Sequence, residues 1–148
     1  MPCTLRHGLA AAVDGIIFSL KQLALASVGL VGTPLDDNEK EFLSEQPSSS
    51  KRKKVRFLPF RANFEQTFKL FAKVYRTSCT TDFSDKGFVA LCETFELRHR
   101  VMHPKSFMTF GVQDDETKRA GEAIDWLHQE LQRLLGASRD SLGQVTQS

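Results

Sequence analysis

A chain of 148 residues, 41% hydrophobic and 26% charged, has the balance of one ordinary globular domain, which excludes a wholly disordered chain, a fibre and a multi-span membrane protein. A formal net charge of +2 provides no global basic field, so any grip on nucleic acid must come from local charge. Twelve Phe against one Tyr and one Trp point to a core filled with phenylalanine.

The first thirty residues carry Arg6 and His7 ahead of an apolar run, and Ala24-Leu25-Ala26 resembles a cleavage site. Asp14 and Lys21 interrupt that run and are costly inside a bilayer. Leu5, Leu9, Val13, Ile16, Ile17, Leu20 and Leu23 recur at helical spacing, so the segment is expected to be an amphipathic core helix rather than a signal or a membrane span. Gly29 to Pro34 should break it. Residues 35–50 are acidic and then Ser/Pro-rich, and read as a surface loop with a single helical turn near Phe42-Leu43. The only dense charge run follows, Lys51-Arg52-Lys53-Lys54-Val55-Arg56. It suits a solvated loop, a nuclear import signal, or a basic arm for phosphates, and on the last reading these five cations are RNA-binding candidates.

A second helix is expected from Pro59, with Phe60, Phe64, Phe68, Phe71 and Val74 as its buried stripe and Glu65 placed to pair with Arg61 or Lys69. Thr77 to Phe83 reads as a polar turn, and Asp82 or Ser84 as the cap of a third helix from about Asp85 to His103. Pro104 closes that helix. Asp114, Asp115 and Glu116 start a fourth, with Ala120, Ile124, Leu127, Leu131, Leu134 and Leu135 as its stripe and Gly136 as its end. No β-type alternation appears. The expected fold is all-α, an antiparallel four- to five-helix bundle. It forms a single domain over residues 1–136, with a mobile loop at about 32–56 and a polar tail at 137–148. Cys3, Cys79 and Cys92 are odd in number and widely spaced, which fits a reduced cytosol and neither a disulfide framework nor a zinc site. No metal or cofactor is called for by any motif.

The third helix ends in Leu97-Arg98-His99-Arg100-Val101-Met102-His103-Pro104. Phe88, Leu91, Cys92, Phe95 and Met102 make its apolar stripe, with Arg98 at one edge and His99 within the other. Burying such groups without partners is costly, so packing alone does not account for them. Arg98 and His103 lie five apart, point well away from each other on an ideal helix, and differ by roughly 7–8 Å along its axis. The helix must unwind at His103, or two copies must pool their side chains across a two-fold axis. A helix C-terminus favours the imidazolium of His103, whereas Arg98 and Arg100 disfavour it; opposed effects of this kind can hold an imidazole near neutrality, where general acid–base work needs it.

Arg98, His99 and His103, followed by Pro104 at the end of an amphipathic helix, resemble the hallmark of the HEPN family (higher eukaryotes and prokaryotes nucleotide-binding domains). The likeness in architecture covers roughly residues 5–135, and is sharpest over about 86–135. It departs from the family pattern in having His99 where Asn is commoner, and in the basic insert near 51–56. The resemblance implies a helical bundle acting as a homodimer and a metal-independent endoribonuclease, with a role as a toxin or antiphage-defence component in the cytoplasm. It implies that His103 is the acid or base, that Arg98 holds the scissile phosphate, and that His99 positions the site or shares proton transfer. RNA is the implied partner, with an antitoxin or nucleotidyltransferase beside it and no membrane. Arg100 and Lys105 join the basic run as RNA-binding candidates, although Arg100 also stands where a surface pair with Glu93 or Glu96 forms. The competing readings are a non-catalytic HEPN-like module that binds nucleic acid or protein, and a helical adaptor in which Arg98 is a structural ion-pair residue.

Overall fold

The computed structural model describes residues 2–45, 58–102 and 114–147, and the side chains of 8–45, 58–96 and 115–147. The fold is an all-α helical bundle, with five helices and no strand among the described residues: α1 (Pro2–Val31), α2 (Asp37–Ser44), α3 (Phe60–Val74), α4 (Lys86–Met102) and α5 (Asp114–Thr146). They group into two units, Met1–Gly15 with Asp82–Gln132, and Ile16–Thr81 with Arg133–Ser148. The sequence reading expects one domain to residue 136; here α1 and α5 each give residues to both units.

In the second unit, α1 buries Ile17, Leu20, Lys21, Ala24, Ser27 and Val31, continuing the line of Ala10 and Val13 in its earlier half. These positions recur at steps of three and four, as one face of a helix requires. The expected stripe is therefore displaced: Leu23 is 47% exposed, and Ala24 takes the core position beside it. The cause is that α1 is apolar nearly all round, so periodicity alone does not choose its face. By length and composition Gly8–Val31 is apolar enough to cross a membrane, and a third of its most apolar window is buried within the fold. The helix stops where expected. Gly32 adopts φ +71°, a left-handed conformation that costs glycine little, and its N–H bonds the Val28 carbonyl.

Lys21 is buried because two groups receive it. Its Nζ lies 2.9 Å from Glu45 Oε1 and 4.0 Å from the centroid of the Phe42 ring. Both partners belong to the segment expected to be a loop, which instead carries the two-turn helix α2. A capping box starts this helix: Asp36 accepts from the Glu39 N–H at 2.8 Å, and the Glu39 carboxylate accepts from the Asp36 N–H at 3.0 Å. Lys73 of α3 reaches the same Glu39 carboxylate at 2.6 Å, so α2 is fastened to both neighbours. Residues 46–57, with the rest of the expected loop, lie outside the described residues. We expect Glu45→Gln to destabilise the chain by about 1–3 kcal/mol, because the ammonium stays buried while its anion is lost. Lys21→Met, which removes the charge and keeps the stem, should cost less than about 1 kcal/mol. Urea denaturation of the two variants checks the order.

α3 follows its expectation closely. Pro59 sits at its N-cap, and Phe64, Phe68, Phe71 and Val74 are fully buried, with Phe60 half-buried. Phe64 and Phe68 stack at 4.3 Å between ring centres. Glu65 pairs with Arg61 at 2.9 Å and reaches Lys69 at 3.8 Å. The helix ends in a Schellman motif, with the Thr77 N–H on the Ala72 carbonyl and the Arg76 N–H on the Lys73 carbonyl. The left-handed position of that motif, usually glycine, is Arg76 at φ +52°. Its guanidinium holds it there by donating to the Gly32 carbonyl at 2.9 Å and to Thr33 Oγ1 at 3.2 Å. Arg76→Ala keeps the backbone strain and loses both bonds, whereas Arg76→Gly loses the bonds and relieves the strain. Arg76→Ala should therefore be the less stable variant, by about 1 kcal/mol in chemical denaturation.

The same joint receives the end of α5. Ser141 donates to the Tyr75 carbonyl, Arg133 donates to the Thr80 carbonyl at 3.2 Å, and the Tyr75 hydroxyl meets Ser27 Oγ at 2.6 Å. Gly136 therefore does not end the last helix, and residues up to Thr146 are helical rather than a frayed tail. A glycine inside a helix costs only about 1 kcal/mol, which anchoring on both sides of it offsets. The α5 stripe also differs from expectation. Ala120, Ala123, Leu127, Glu130, Leu134 and Ser138 are buried, while Ile124 and Leu135 are 40% and 44% exposed.

Candidate nuclease site at the end of α4

α4 is started by neither Asp82 nor Ser84. Asp85 accepts from the Gly87 N–H at 2.7 Å, and its carbonyl takes the first helical bond, from the Val89 N–H. Asp82 instead closes the turn before it, accepting from both the hydroxyl and the N–H of Ser84. Those two bonds, the hydroxyl's first, hold the Asp82 carboxyl below its ordinary value.

From that cap the helix buries Gly87, Phe88, Ala90, Leu91 and Thr94. Cys92 and Phe95 are half-buried, which fits Cys92 as a packing residue. Within its unit α4 lies antiparallel to α5: Gly87 meets Trp126, and six residues later Glu93 pairs with Arg119 at 2.9 Å. The Phe88 and Trp126 rings lie 5.3 Å apart, and Phe83 closes edge-on against Phe88 at 5.1 Å. Glu93, a candidate partner for Arg100, thus bridges to the neighbouring helix.

This frame carries the backbone of Arg98, His99 and Arg100, and its last described residue, Met102, precedes His103 and Pro104 in the sequence. The side chains of Arg98, His99 and Arg100 lie outside the described set. So do residues His103 and Lys105, and the basic run Lys51, Arg52, Lys53, Lys54 and Arg56. What the structure adds is register. Gly87, Leu91 and Thr94 form the centre line of the buried face along the part of α4 whose side chains are described. The sequence pattern alone hides this, because it counts Cys92 and Phe95 as core and does not reveal that Thr94, whose hydroxyl donates to the Ala90 carbonyl, is buried. Among the described residues no group of three or more His, Cys, Asp or Glu side chains is placed to hold a metal ion.

Comparison with protein-family models, with curated proteins and with solved structures finds no match for this chain.

Proposed function

We propose that the chain is a metal-independent endoribonuclease of HEPN type, working as a homodimer whose two Arg98–His103 motifs form a composite site. The observation that carries this reading is the position of the motif. Arg98 and His99 belong to the backbone of α4, and His103 and Pro104 follow Met102, its last described residue. Arg and His side chains closing an amphipathic helix are costly to shelter without partners, and a bound phosphate is a partner that suits both.

In the proposed reaction the ribose 2′-oxygen attacks the adjacent phosphorus. The 2′-O–P bond forms, the P–O5′ bond breaks, and the products are a 2′,3′-cyclic phosphate and a 5′-hydroxyl. His103 takes the 2′-proton or supplies the proton to the leaving 5′-oxygen. A second imidazole, His99 or the His103 of the other copy, does the complementary transfer. Arg98 offsets the charge that develops on the phosphate oxygens. The basic run at residues 51–56, with Arg100 and Lys105, grips the RNA backbone and makes binding salt-dependent. A toxin or antiphage role, with an antitoxin or nucleotidyltransferase partner in the cytoplasm, belongs to the same proposal.

The test is cleavage of a varied RNA panel by the whole chain in EDTA, with the product ends analysed. Cyclic-phosphate ends support the nuclease reading. Salt-sensitive RNA binding without cleavage by folded protein moves the weight to a non-catalytic binding module.

A further inference from the structure

We propose that the solvent face of α3 binds the phosphate backbone of a single nucleic-acid strand through Arg61, Lys69 and Lys73, and that Glu39 of α2 competes with the strand for the last of these. The proposal rests on the RNA-binding part of the reading above and not on cleavage.

Charge is unevenly divided along this chain. Residues 51–76 carry nine Lys and Arg against one Glu, a net of +8, so the rest of a chain of net +2 carries −6. The first part of that stretch is the basic run already assigned to RNA, and most of the remainder is α3. On α3 the buried residues are Phe64, Thr67, Phe68, Leu70, Phe71 and Val74. That leaves Arg61, Lys69 and Lys73 on one open arc of about 120°. Their side chains are 56%, 67% and 46% exposed. Along the axis they span about 18 Å, the length of about five stacked nucleotides at roughly 3.4 Å each. Among the described residues, none of the exposed large hydrophobic side chains belongs to α3. A face with charge and no large apolar side chain suits a phosphate backbone. It offers neither a lipid surface nor a partner helix the apolar contact that each needs.

Two carboxylates already stand against these cations. Glu65 lies 2.9 Å from Arg61 and 3.8 Å from Lys69, surface pairs within one helix that are weak and yield easily. Glu39 comes from another element. Both its oxygens meet the Lys73 ammonium, at 2.6 and 2.8 Å. It belongs to an acidic segment, residues 36–45, where five Asp and Glu against one Lys give a net of −4. In the free protein this carboxylate takes the place that a phosphate takes on the other cations. A strand that uses Lys73 must first displace it.

Fluorescence anisotropy of the whole chain with a labelled oligothymidylate tests the proposal. That strand has phosphates but no 2′-hydroxyl, so binding is read without cleavage. On a single strand each phosphate contact adds about 0.7 to the slope of log affinity against log salt, or about fivefold in affinity at about 0.1 M salt. Arg61→Ala and Lys69→Ala should each lower the slope by about that amount, whereas Lys86→Ala, an exposed lysine of α4, should not. Glu39→Gln keeps the capping box, which glutamine also closes, and releases Lys73. It should tighten binding about two- to fivefold, whereas Glu122→Gln, the same charge change at an exposed position of α5, should leave it unchanged. Circular dichroism confirms that each variant is folded. A wild type that fails to bind the strand at low salt, slopes indifferent to Arg61→Ala and Lys69→Ala, or equal effects of Glu39→Gln and Glu122→Gln overturn the proposal. RNA cleavage in EDTA, measured beside the binding, keeps the two readings apart. The expected slopes without cleavage sustain this surface and count against the nuclease; cleavage with indifferent slopes does the reverse.

Discussion

Arg98→Ala and His103→Ala are each expected to lower RNA cleavage by roughly 10²–10⁴-fold while leaving the helical content unchanged. Alanine is a better helix former than arginine, so Arg98→Ala removes the guanidinium without weakening α4 locally. Alanine is a better helix former than histidine too, so His103→Ala costs nothing in helix propensity. The two losses differ in character. Arg98→Lys keeps a charge but lacks the planar fork that grips two phosphate oxygens, so it should recover only part of the activity. His103→Ala should remove the limb of the pH–rate profile that an imidazole contributes near neutrality, a change that Arg98→Lys does not produce. Melting curves measured beside the kinetics decide between chemistry and architecture. A drop of many degrees for Arg98→Ala, with His103→Ala fully active, would mean that Arg98 is an ion-pair residue within the bundle and that the nuclease reading is wrong.

How far these features can be read from the sequence depends on whether the local pattern has a competitor. α3 has none: phenylalanines at four-residue steps with charged residues between them leave one choice of face, and the buried set matches it. α1 and α5 each have two. In α1, alanines and glycines alternate with leucines around the whole circumference, and what fixes the face is Lys21, held by Glu45 from 24 residues away. No local pattern contains that contact. In α5, Ile124, Leu131 and Leu135 make as good a stripe as the one that is buried, and the choice is made by tertiary packing. Trp126, for example, turns its ring onto Phe88. Breakers mislead for the same reason. Gly32 ends α1 because the chain needs a left-handed turn there, whereas Gly136 is carried through by anchors at Arg133 and Ser141. The motif at Arg98 and His103 is legible as spacing. The centre line of the buried face that precedes it is not, since that depends on the burial of Thr94 and Gly87, two residues that carry no hydrophobic signal of their own.

Gly87 is the position where one added carbon is expected to do most harm to the fold. A Cβ built there falls 2.1 Å from Trp126 Cβ, 2.4 Å from its Cγ and 2.7 Å from its Cδ1. The closest of these is an atom attached directly to the α5 backbone, so no rotation of the indole relieves the contact. α4 and α5 must move apart, and that move also strains the Phe88–Trp126 packing and the Glu93–Arg119 pair that hold the two helices together. In a helix interior Gly→Ala ordinarily stabilises by roughly 1 kcal/mol. Here overpacking reverses the sign, and Gly87→Ala should destabilise by about 3 kcal/mol, the upper part of the range for forced core contacts. Thermal and urea denaturation of the single variant measures the size. A second variant tests the cause: Trp126→Ala shortens the ring but keeps the Cβ, so Gly87→Ala made in that background should still be destabilising. If the double variant is instead no less stable than Trp126→Ala alone, the indole and not the backbone spacing sets the limit. In that case α4 and α5 are free to approach more closely than their present separation requires.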